Sequence, residues 1–316
     1  MNKRDPVLGI DPLVDFAFKL LLGSPEHARV TVHFLNAILG TRPRITRVSF
    51  KNPIQGKGYN DDKLVILDIL AEDESGRQYN IEVQTTLPLG LNQRLTFYGA
   101  RLYVDQVTEG TQYRDLKSAV VICVLSKPLF PLQPDFHSDF RLRDESGQIL
   151  TDDLQVHLLE LTKLKVKREN IGKATPLERW AFFLLNAPKM TAEEIRKLFP
   201  DPEFGEAVEI LEMIKQTPEK MHEYSARMKL RLDEAARLDY AREEGIERGR
   251  EEGREEGREE GREEGLQKGK LLGEIRLLQT LLGIETPTSD ELSRYDLPKL
   301  TALSRRLKKK LPDRLQ

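Results

Sequence analysis

One cysteine and the lack of any long apolar run set the first limits on this 316-residue chain. Cys123, standing alone, excludes an intrachain disulfide framework and a Cys-rich zinc site. A bilayer-crossing helix needs about 20 predominantly apolar residues. Ala119–Leu125 is typical of the longest runs here, so no membrane partner is expected. The opening MNKRDPVLGIDPL is charged and lacks the apolar stretch of a secretory signal, which makes the expected location cytoplasmic. Phosphate-binding glycine loops of the Walker or dinucleotide type are missing too, because the glycines gather in a charged repeat instead of between strand and helix. The formal net charge of −2 neither supports nor excludes a nucleic-acid partner, since local charge decides that question.

What is present divides the chain into four parts. Residues 1–165 mix helical and strand patterns. Leu13, Phe16, Leu20 and Leu21 recur at helical spacing, and Val30, Phe34, Ala37 and Ile38 continue the period to a stop at Gly40. Residues 44–50 alternate in period two and predict a strand. Residues 63–71 (KLVILDILA) are apolar on both faces, as in a central strand. Turn residues at 73–76 lead to a second alternating strand, 79–86. Pro88 then opens a predicted helix over 89–108, and residues 119–125 form another buried strand. A hairpin is expected from 140–143 and 154–161. Residues 166–242 read as helical, with Thr191 and Glu194 forming a capping box and Pro218 a break.

Residues 243–265 carry the repeat EEGR. Over 243–264 there are eleven Glu and five Arg, a local charge of −6 that repels nucleic acid. A period of four sets like charges at i,i+4; only Glu–Arg pairs at i,i+3, worth about 0.2–0.5 kcal/mol, help the helix. Each interior Gly costs about 1 kcal/mol. The segment therefore reads either as a solvated spacer of marginal helicity or as a glycine-faced helix packed on a copy of itself. Residues 266–316 resume an amphipathic helical pattern ending in Arg305, Arg306, Lys308, Lys309 and Lys310. That basic end could meet phosphates or lipid headgroups, although an ordinary solvated helix end has the same composition.

Asp68 is the informative residue. On a strand over 63–71 it shares a face with Leu64, Ile66 and Leu70, where a carboxylate is costly unless a cation or hydrogen bonds compensate it. The next strand offers a polar face of Asn80, Glu82, Gln84 and Thr86. Asp68 and Glu82 lie 14 positions apart across a short turn, so adjacent strands can set them side by side. Two neighbouring carboxylates favour a divalent cation, and oxygen-only ligation suits Mg²⁺ or Mn²⁺. Periodicity alone leaves an equal alternative, a strand-end carboxylate paired with Lys or Arg. Other candidates are weaker. His157 and Glu160 fall on opposite faces of a strand, Cys123 reads as core, and His27 and His33 flank a helix without metal-ligating company.

The order helix, three strands, helix, strand, with Asp68 followed by Glu82-Val83-Gln84, resembles the PD-(D/E)XK nuclease core. The pieces DPLVDFAFKLLLG, HFLNAILG, LDILAEDESGRQYNIEVQ, QRLTFYGARLYVDQVTEGTQY and HLLELTKL, together with the EEGR repeat, are similar to the recombination-promoting nuclease (Rpn) family, also described as PD-(D/E)XK nuclease family transposases. The resemblance implies an α/β fold with a restriction-endonuclease-like core, a mixed sheet flanked by helices, over 1–165. A helical region, the charged repeat and a small C-terminal helical tail would follow.

It also implies roles. Asp68 and Glu82 would bind the metal, joined by the Val83 main-chain carbonyl. Gln84 stands where the wider superfamily usually has Lys, a replacement typical of this family. Asp15 is similar to an acidic residue that binds or orients the metal from the first helix, and Lys19, one turn away, could contact DNA near the same cleft. Arg94, Tyr98 and Arg101 share one side of the helix after Pro88, where they could contact DNA. The implied activity is Mg²⁺-dependent DNA endonuclease cleavage, with Mn²⁺ as a substitute, in recombination, mobile-element biology or defence. The alternatives are a catalytically weak DNA-binding scaffold that works as an oligomer, and a transposase that joins ends. DNA and a second copy of the chain are the expected partners, as a homodimer or higher homo-oligomer.

Overall fold

The computed structural model describes residues 6–40, 44–51, 54–55, 65–66, 68–284 and 287–310. The chain divides into two compact units, 1–235 and 236–316. In the first, helices α1 (Asp15–Gly23) and α2 (Ala28–Leu39) split what the sequence period suggested was one helical run. Pro25 opens a 3-10 turn over Pro25–His27 that re-aims the chain between them. The strands that follow are β1 (Val48–Phe50), β2 (Ile54–Gln55), β3 (Val65–Ile66), β4 (Ile69–Asp73) and β5 (Gln78–Gln84). After them come α3 (Leu91–Val104), β6 (Ala119–Leu125), β7 (His137–Arg143) and β8 (Ile149–Glu160). Helices α4 (Pro176–Asn186), α5 (Ala192–Leu198) and α6 (Pro202–Gln216) complete the globular part. Capping boxes at Thr175 and Thr191 start α4 and α5.

Six strands form one mixed sheet in the order β1-β4-β5-β6-β8-β7. The β1/β4, β4/β5 and β7/β8 pairs are antiparallel; β5/β6 and β6/β8 are parallel. Parallel neighbours need a crossover, and α3 supplies it between β5 and β6. Alternation along the strands then feeds two layers. Ile69, Ala71, Tyr79, Ile81, Val83, Val120, Ile122 and Val124 pack beneath α1, α2, α4 and α6. Leu70, Val121, Cys123, Leu125 and Leu158 face α3 through its Leu91, Leu95 and Leu102. Each fully buried aliphatic side chain stabilises the fold by about 1.5–3 kcal/mol. Cys123 is core, fully buried in β6.

The expected strand over 63–71 is not continuous. Val65–Ile66 pairs with Ile54–Gln55, Asp68 lies in a bend, and the sheet strand begins at Ile69. Lys63, Leu64 and Leu67 fall outside the described residues. Strand β1 covers the end of the stretch expected over 44–50, and α3 is trimmed at both ends relative to 89–108.

Helix α7 (Pro218–Leu282) runs 65 residues and contains the whole EEGR repeat. A Cβ added at any glycine from Gly245 to Gly273 meets nothing within 4 Å. In the second unit the last turns of α7 pack with α8 (Ser289–Ser293) and α9 (Leu297–Lys308) around Ile275, Leu278, Leu292, Leu300 and Leu307. There Lys308, of the basic end, is paired with Glu274. No described helix is long and apolar enough to cross a membrane.

Candidate active site

The site is set by a turn. Asp73 Oδ1 accepts from Ser75 N (2.8 Å), Ser75 Oγ (2.7 Å) and Arg77 N (3.1 Å), and its Oδ2 accepts from the Tyr79 hydroxyl at 2.6 Å. Gly76 completes the reversal at φ +85°, a conformation that glycine adopts without steric cost. The turn fixes the β4/β5 register at Ile69 opposite Ile81. Asp68 sits in the bend just before Ile69, near enough to Glu82 of β5 for its charge to act on that carboxylate. Gly99 lets α3 approach closely: a Cβ there would lie 3.3 Å from Val121 Cγ2.

Glu82 is 3% exposed. Its carboxylate accepts from Asn80 Nδ2 at 2.9 Å, and Arg94 Nη2 stands 3.7 Å from Oε2. Burial pushes the Glu82 carboxyl up to about 7, and the nearby Asp68 charge adds to the rise against the pull of these partners. Burial likewise raises Asp68, opposed by Lys19, reinforced by Asp15 and opposed again by the Val83 N–H. Lys19 lies between two carboxylates, 2.9 Å from Asp15 Oδ1 and 3.3 Å from Asp68 Oδ1. Burial works against the Lys19 charge, but Asp68 and Asp15 outweigh it and raise its pKa. Tyr98 lies beneath the Arg94 guanidinium (5.8 Å to the ring centroid); burial first, then Glu82, raises its hydroxyl pKa.

Asp15, Lys19, Asp68, Glu82, Val83, Gln84, Arg94 and Tyr98 therefore occupy one region of the unit. Arg101 is different, because its guanidinium is turned onto Asp105 of its own helix at 2.8 Å. The weaker sequence candidates are accounted for elsewhere. His157 bonds His137 (3.1 Å), Glu160 bonds Lys163 (2.6 Å), and His33 Nδ1 accepts from the Trp180 indole (3.0 Å). His27 has a carboxylate partner that its sequence neighbourhood did not suggest, Glu206 at 2.9 Å.

The chain belongs to the PD-(D/E)XK nuclease family transposases. The model of that family matches residues 12–241, well over half the chain and all of the sheet. No curated protein and no solved structure gives a significant match. Membership gives the chain a nuclease- or transposase-related role, and PD-(D/E)XK nucleases generally use divalent metals.

The donor set fits such an ion. Two largely buried carboxylates are neighbours, and their cationic partners at 3.3 and 3.7 Å are looser than the 2.7–2.9 Å of a tight charge-assisted bond. The buried Asn80 Oδ1 has no hydrogen-bond partner. Hard oxygen donors held only by long contacts to Lys19 and Arg94 suit Mg²⁺ or Mn²⁺. Among the described residues no cage of three or more His, Cys, Asp or Glu forms, so main-chain and water oxygens would complete the coordination.

Sequence reasoning missed a second wall. A cavity of about 210 Å³ is lined by Leu13, Asp15 and Val83–Thr86 on one side and by Arg227, Leu230, Arg231 and Glu234 of α7 on the other. Nothing in the local pattern distinguishes these α7 residues from an ordinary solvated helix face, and they lie more than 140 positions beyond Gln84.

Proposed function

We propose that the chain is a metal-dependent DNA endonuclease that hydrolyses phosphodiester bonds. The observation that supports this reading is the buried Glu82 carboxylate on β5, with the Asp68 carboxylate near enough to act on its charge. Asp68, Glu82 and the Val83 carbonyl would hold Mg²⁺, or Mn²⁺ in its place. The ion would supply Lewis-acid polarisation of the phosphate and activation of a water. Gln84 orients that water through its amide, which both donates and accepts but carries no charge. Asp15 holds Lys19 close to Asp68, and Arg94, steadied over Tyr98, is the arginine of α3 best placed to meet a phosphate. Arg101 would do so only by leaving Asp105. The reading includes a role in recombination, mobile-element biology or defence, which the family description supports in its nuclease and transposase part, and a cytoplasmic location.

Supercoiled plasmid with Mg²⁺ tests the reading. Wild-type protein should nick or linearise it, Asp68→Ala should remove most activity, and Gln84→Ala should lower it less. An Asp68→Ala protein that cuts as fast as its parent would reject the assignment. The family's transposase description favours one further reading, strand transfer, which joined DNA products in the same assay would reveal.

A further inference from the structure

Asp15, Asp68 and Glu82 lie near one another, and a phosphodiester approaching them is repelled unless cations remain available. Lys19 is held between Asp15 and Asp68, and Arg94 faces Glu82. Arg231 is spoken for as well, with its guanidinium on Asp11 Oδ2 at 2.8 Å. Arg227 is exposed, lines the same cavity as Gln84, and has no ion pair or hydrogen bond within the described structure.

The helix that carries Arg227 is fixed in place. Three residues before it, the buried Tyr224 hydroxyl accepts from Asp11 N at 2.9 Å; four residues after it, Arg231 grips the Asp11 side chain. Asp11 itself accepts from Leu13 N, just before α1. These spacings put Tyr224, Arg227 and Arg231 on adjacent rows of one helical face. Met228, between them, packs on the main core.

We propose that the start of α7 and the end of β5 form a phosphate-binding subsite for the polynucleotide strand at the cut site, with Arg227 as its binding cation. The strand's backbone lies between Arg227 and the Gln84–Thr86 segment. The Thr85 hydroxyl is a second donor there, and Glu234, on the same wall, limits affinity by like-charge repulsion. The subsite rests on the endonuclease reading and gives it a positive charge near the position where Gln84 replaces the superfamily's Lys.

Steady-state cleavage of a labelled duplex in Mg²⁺ between 50 and 200 mM salt tests the subsite. Arg227→Ala should lower kcat/KM about tenfold, mainly through KM, and reduce the slope of log affinity against log salt by about one. Arg227→Lys should restore most of the loss. Glu234→Gln should move kcat/KM the other way, a readout that a misfolded variant cannot give. Arg196→Ala, at a guanidinium paired with Glu212, serves as the control and should match wild type. If wild type cuts while Arg227→Ala keeps its KM and salt slope, the subsite is wrong and the endonuclease stands. If wild type neither cuts nor binds the duplex, both fall.

Discussion

Glu82 and Glu160 are both buried, and their partners differ in a way that predicts different outcomes on substitution. Glu160 is fully enclosed and tightly met, by Lys163 Nζ at 2.6 Å and Phe130 N at 2.9 Å. Breaking such a buried pair costs ~3–5 kcal/mol, so Glu160→Ala should show that loss in urea denaturation. Glu82 has looser partners and a carboxylate neighbour, so Glu82→Gln should leave the urea midpoint unchanged or raise it while abolishing cleavage. A large destabilisation by Glu82→Gln would mark it as structural.

His157 makes stability depend on pH. Burial first, then the neighbouring His137 and Arg141, hold its imidazole down to about 4 despite Asp139. Its unfolded value is near 6.5, so the unfolded chain binds more protons between those limits. Stability is full above pH 6.5 and falls as pH drops through this window, by ~2 kcal/mol at pH 5. His137 is lowered too, by burial, and acts in the same sense. Urea midpoints at pH 7 and 5 should show the drop, and His157→Gln should shrink it.

At the scale of elements, the turn was the legible part. Asp73, Gly76 and the alternation over 79–86 announce two antiparallel strands, and their pairing sets Ile69 opposite Ile81, one residue short of Asp68 and Glu82. The place where the chain enters β4 was not legible, because residues 63–71 are apolar throughout and a uniform run carries no mark of a bend. The break after α1 was marked by Pro25, yet the apolar spacing runs through it and hid the second helix start. Thr191, by contrast, behaves as its pattern suggests; Thr191→Ala should cost ~1 kcal/mol of stability.

The repeat goes the other way. Propensity makes it a poor isolated helix, yet it lies wholly within α7. Its glycine faces are open, so replacing Gly249, Gly253, Gly257, Gly261 and Gly265 by Ala should raise helical circular dichroism, by about 1 kcal/mol of local helix stability per site. An unchanged mass by light scattering would fit the solvated spacer. A mass that shifts with the substitutions would show that the glycine face packs on a second copy.

For the whole molecule, the family match running to residue 241 carries the shared region past the sheet and into α7. No local pattern could reveal that Arg227 and Arg231 line the cavity beside Gln84, because that wall is built by long-range packing through Tyr224 and Asp11. The account as a whole depends on a divalent ion preferring the Asp68–Glu82 pair to the loose contacts of Lys19 and Arg94. A crystal of the full chain soaked in Mn²⁺ and measured for anomalous scattering tests this most directly. The predicted result is a manganese peak bound by both carboxylates, with Lys19 moved off Asp68. Lys19 and Arg94 still seated on their carboxylates, with no peak between them at millimolar Mn²⁺, would contradict it.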